Sequence, residues 1–73
     1  GVAPNTISFS AAMSACAKGG QWERALSMFG EMQQCGLEPD VISYNVAISA
    51  CEKGKQWERA LSLLAKYLAM LLG

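Results

Sequence analysis

The chain has 73 residues, 52% of them hydrophobic and few charged, which excludes a disordered polypeptide and bounds the protein to one small domain. Six basic and six acidic residues cancel, so net charge alone steers the chain toward neither nucleic acid nor an anionic membrane. The charge is uneven: residues 1–40 hold Lys18 and Arg24 against Glu23, Glu31, Glu38 and Asp40, net −2, and residues 41–73 carry the opposite excess.

In chain order, Pro4 and Asn5 open the first helix. Asn5 serves as its N-cap, because a short side-chain oxygen can accept from an unpaired first-turn N–H. Phe9, Ala12, Met13 and Cys16 recur at helical spacing, and Gly19-Gly20 stops the run. A second helix starts near Gln21, with Trp22, Ala25, Leu26, Phe29 and Met32 as its buried stripe, and ends at Gly36. The connection Gly36-Leu37-Glu38-Pro39 is short and turns the chain back. Asp40 caps a third helix, with Tyr44, Ala47, Ile48 and Cys51 on its stripe, and Gly54 breaks it. Trp57, Ala60, Leu61 and Leu64 form the buried stripe of a fourth, whose apolar character continues through Leu68, Met70, Leu71 and Leu72.

These elements are one unit written twice. Pro4 meets Pro39, Cys16 meets Cys51 and Trp22 meets Trp57, all at an offset of 35, and Gln-Trp-Glu-Arg-Ala-Leu-Ser recurs unchanged at 21–27 and 56–62. A fixed period of about 20–50 residues marks a solenoid array in which each repeat is one supersecondary unit. The fold expected is all-α: an alpha-alpha superhelix fragment of two antiparallel helical hairpins, residues 4–38 and 39–73. A hairpin written twice also places Trp22 and Trp57 in like surroundings. The stretch from Leu61 to Leu72, about 12 residues, is too short to span a bilayer, which needs roughly 20. Its apolar surface is left for a partner protein, a lipid surface, a continuation of the chain, or packing within the domain.

Three cysteines without CxxC spacing read as small buried thiols in a reducing compartment, with a disulfide or metal site as the alternative. The chain has no histidine, no phosphate-binding glycine loop and no Ser or Cys beside a base, so no catalytic constellation is visible and no cofactor is implied. Glu23 and Glu58 read as solvated charges.

The repeated residues resemble the pentatricopeptide repeat family of 35-residue helix–turn–helix units. The likeness rests on Pro39-Asp40-Val41-Ile42-Ser43-Tyr44-Asn45, Lys53-Gly54 and Ala60-Leu61, with Ala25-Leu26, Phe29 and Glu31-Met32 in the first copy. Trp22 and Trp57 depart from the smaller apolar residue more usual there. The resemblance implies modular binding of single-stranded RNA, one base per repeat, in an organelle, either chloroplast or mitochondrion.

It also implies site residues. Ser10 with Asp40 forms a complete base-reading pair of a kind that favours guanine. Asn45 opens a second pair, and Asn5 completes a pair with a preceding repeat. Ile7 and Ile42 match base-flanking positions; Lys18 and Lys53 match a position near the phosphates. Each has a second reading from local physics. Asn5 and Asp40 are sufficient as caps, Lys18 and Lys53 as cations at helix C-termini, and Ile7 and Ile42 as core between repeats. Ser10 and Asn45 are ordinary first-turn residues. A different function also fits the neutral charge and apolar tail: a non-catalytic subunit of a large organellar complex, clipped to protein neighbours, with membrane-surface contact through the last helix.

Overall fold

The computed structural model describes residues 5–73, which form four helices and no strand. They are α1 (Thr6–Lys18), α2 (Trp22–Gln34), α3 (Val41–Lys53) and α4 (Trp57–Leu72). Pro4, the residue paired with Pro39 by the repeat, lies outside the described residues.

Both expected caps form. Asn5 accepts from the Ser8 N–H at 2.8 Å, and Asp40 accepts from the Ser43 N–H at 2.8 Å. Each satisfies a first-turn donor that the helix cannot pair internally. The hairpin turns are also alike. Gly20 N–H and Gln21 N–H fold back to the carbonyls of Ala17 and Cys16, and Lys55 N–H and Gln56 N–H do the same to Glu52 and Cys51. Gly20 takes a φ of +80° there, but its counterpart Lys55 takes +57° with a Cβ attached.

The hairpins pack in two layers, α1 beside α3 and α2 in the second layer with α4. Helix α3 lies against α1, α2 and α4, whereas the backbones of α2 and α4 do not approach each other closely. The core therefore sits around α3. Met13, Phe29, Met32, Tyr44 and Ala47 form its larger part, with the Phe29 and Tyr44 rings edge to face at 5.5 Å. Ala17, Ala25 and Ala50 form the smaller part, where the absence of bulk lets three helices approach closely. Leu63 and Tyr67 of α4 lean on the first cluster, Tyr67 with its ring 5.8 Å from that of Tyr44.

The stripe expected to be buried on α4 is not. Ala60 is buried, but Trp57 is 60% exposed, Leu61 67% and Leu64 41%. The equivalent Trp22 is half-buried, its indole lying across Gly54 so closely that a Cβ there would fall 2.4 Å from the ring. The two tryptophans thus stand in unlike surroundings, a correction with a plain cause: α3 covers the outer face of α2, and no helix among these residues covers α4. The thiols also differ from expectation. Cys51 is buried, Cys16 half-buried and Cys35 exposed, all three free.

Two substitutions probe this packing. Gly54→Ala drives a methyl into the Trp22 ring and is expected to cost about 1–3 kcal/mol, as overpacking does. Lys55→Gly removes a side chain from the left-handed region and is expected to add about 1 kcal/mol. Urea unfolding followed by circular dichroism measures both.

Candidate functional site

Where the two hairpins meet, Asp40 stands at the N-terminus of α3 and Ser10 one turn into α1. Thirty residues apart in sequence, they come within 3.3 Å, Ser10 Oγ to Asp40 Oδ1. Ser43 completes the group: its hydroxyl donates to Asp40 Oδ1 at 2.8 Å and lies 2.5 Å from the Ser10 hydroxyl. Each hydroxyl carries one proton. With the Ser43 proton on Asp40, Ser10 donates to Ser43, and its longer approach to the carboxylate is the second branch of the same proton. The result is a relay across the hairpin junction in which every buried side-chain polar atom is satisfied.

The relay sets the electrostatics of Asp40. Desolvation pushes its carboxyl up, but the Ser43 N–H, the two serine hydroxyls and its own N–H together outweigh this. The carboxyl is held below its ordinary value, ionised and acceptor-only. Oδ1 takes the Ser43 and Ser10 bonds, and Oδ2 is the carboxylate's second acceptor.

Ser10 is only 3% exposed and Ser43 fully buried, so Asp40, half-buried, is the accessible member of the pair. Asn45 is exposed, one turn along α3 from Asp40, and Asn5 is exposed with its oxygen committed to Ser8. Ile7 is 75% exposed and Ile42 58%. Neither is buried between the two hairpins of the described residues. Lys18 is exposed in the last turn of α1. Lys53 instead reaches across the junction, its Nζ donating to the Ala17 carbonyl at 2.8 Å. That bond gives a second donor to a carbonyl that the Gly20 N–H already engages at the end of α1. Leu68, Met70, Leu71 and Leu72 are 48%, 40%, 56% and 88% exposed.

Sequence reasoning missed Ser43, the centre of the relay. The available signal was the recurrent Ile-Ser, which puts a serine at the same place in each hairpin. It also missed an open groove of about 680 Å³ between α2 and α4, lined by Trp22, Leu26, Arg59, Leu63 and Lys66. Among the described residues no cluster of His, Cys, Asp and Glu could hold a metal ion, and no helix is long and apolar enough to cross a membrane. Burial pushes the Cys51 thiol up against a smaller opposing pull from Arg59, which keeps it a neutral core group.

Stacked antiparallel hairpins, with polar side chains of one repeat meeting the first residue of the next, define an αα-solenoid binding module. The particular family follows from comparison: the model of the PPR repeat family matches residues 4–53, and that of the PPR repeat matches residues 42–68. The chain belongs to the pentatricopeptide repeat family, whose modules typically bind RNA and are generally non-catalytic. No curated protein matches the chain.

The depressed pKa of Asp40 has a signed consequence. Its stabilisation is complete above the unfolded carboxylate value near 4 and is lost as pH falls through the lower folded value. In thermal unfolding, the stability difference between wild type and Asp40→Asn is expected to hold at neutral pH and to shrink below about pH 4. A difference that stays constant on acidification would contradict it.

Proposed function

We propose that the protein binds single-stranded RNA along the face carrying Asp40, Ile42 and Asn45, and reads one base at the hairpin junction through Asp40. The observation that carries this reading is the 3.3 Å meeting of Ser10 with Asp40, two reading positions from different repeats. Their roles are unequal. Buried Ser10 and Ser43 orient and ionise the carboxylate, and Asp40 Oδ2 takes the base. A fixed acceptor suits a base edge that presents N–H donors, and guanine carries two adjacent ones on its Watson–Crick edge. Ile42 and Ile7, both exposed, flank the base with apolar surface, and Lys18 lies toward the phosphates. The organellar setting, chloroplast or mitochondrion, is proposed on family grounds.

A second reading draws on a different observation. The outer face of α4 exposes Trp57, Leu61, Leu68 and Leu72 on a chain of zero net charge. A non-catalytic subunit held in a larger organellar assembly, against protein or a membrane surface, would bury that face.

Fluorescence anisotropy with short labelled RNAs at low salt separates the two. Guanine-containing strands are expected to bind more tightly than strands without guanine. Asp40→Asn is expected to weaken binding by about 1 kcal/mol, roughly fivefold, and to erase the preference. Equal affinity for all strands in the wild type would remove the base-reading role, and no binding at all would favour the subunit reading.

A further inference from the structure

The outer face of α4 repeats a face whose covering is already visible within the chain. On α2, Trp22, Leu26 and Phe29 are covered by α3, with Trp22 on Gly54 and Phe29 on Tyr44. Thirty-five residues on, the same face of α4 presents Trp57, Leu61 and Leu64, all exposed. The surface that α3 offers also has its earlier counterpart. Gly54 corresponds to Gly19, Tyr44 to Phe9, Lys53 to Lys18 and Asp40 to Asn5. A Cβ on Gly54 would strike the Trp22 ring, but one on Gly19 would meet only carbonyls of its own helix, at 3.4 Å and 3.7 Å. Among the described residues there is therefore an uncovered tryptophan face on α4 and an unfilled glycine seat on α1.

We propose that copies of this chain associate head to tail, α4 of one protomer packing on α1 of the next as α2 packs on α3. Trp57 then lies across Gly19 of the second copy, and Leu64 meets its Phe9. Lys18 of that copy donates to the Glu52 carbonyl, as Lys53 donates to Ala17. Charge favours this orientation over a contact between like ends. The first hairpin holds Lys18 and Arg24 against Glu23, Glu31 and Glu38, net −1. The second holds Lys53, Lys55, Arg59 and Lys66 against Asp40, Glu52 and Glu58, net +1. Such a contact is heterologous, so it does not close at two protomers. It also sets Asn45 beside Asn5 of the next copy, as Ser10 sits beside Asp40, which extends the reading surface across the junction. That last consequence rests on the RNA reading; the stacking does not, and its test contains no RNA.

Sedimentation velocity on the whole chain across rising concentration tests it, with circular dichroism confirming the helical fold of each variant. Wild type is expected to grow past two protomers. Trp57→Glu disables the α4 end and Gly19→Phe fills the seat on α1; Trp57 is largely exposed and a Cβ on Gly19 makes only ordinary contacts with its own helix, and each variant alone is expected to stay monomeric. Mixed, they retain one intact end each and are expected to form a heterodimer that grows no further. A wild-type monomer at every concentration overturns the proposal and leaves the α4 face to another protein, a lipid surface or a further hairpin. A closed dimer that persists in Gly19→Phe overturns it in favour of α4 packing on α4, and association insensitive to both substitutions overturns it as nonspecific.

Discussion

Helix α3 occupies the cleft between the two helices of the first hairpin, and the seat it takes there determines most of the molecule. Its Gly54 admits the Trp22 indole face to backbone, its Tyr44 meets Phe29, and its Ala47 and Ala50 let α1 and α2 come close. A hairpin of this length cannot bury its own apolar side, because two helices enclose only the seam between them. Burial of Met13, Met32 and Phe29 is thus achieved between hairpins as much as within one. The same seat brings Asp40 to Ser10, so the polar site and the core share one origin.

That shared origin also sets the state of the carboxylate. A carboxylate at a helix N-terminus is already favoured by the local field. Here two serines add hydrogen bonds that hold one oxygen fixed and the group ionised. Nothing in the arrangement activates a nucleophile or moves a proton to a substrate. Its capacity is to present a fixed acceptor at the start of α3, near the exposed Ile42. The repeats belong to a family whose modules typically bind RNA.

Much of this was readable from residue order, and the part that was not has a physical cause. Asn5 and Asp40 were identifiable as caps because capping involves neighbours three residues apart. The hairpin pairing followed from the period, since duplication transfers one unit's geometry to the other. Trp57, Leu61 and Leu64 read as buried and are exposed, because helical spacing shows which residues share a face and says nothing about whether another helix covers it. Lys53 read as a helix-end cation near phosphate, whereas its bond to Ala17 depends on how two hairpins dock. Ser43 escaped notice for the same reason: a serine in a first turn looks ordinary until the facing helix supplies Ser10.

The buried serine pair has one more consequence. Apolar helix faces tolerate sliding, since one set of methyl and methylene contacts replaces another at small cost. A slip of α3 along α1 by a single turn, about 5.4 Å, would take the buried Ser10 hydroxyl away from both Ser43 and Asp40, which stay bonded to each other within α3. That one stranded hydroxyl would cost about 1–3 kcal/mol. The relay therefore acts as a latch on the axial alignment of the two hairpins, so that an otherwise greasy contact has one permitted setting.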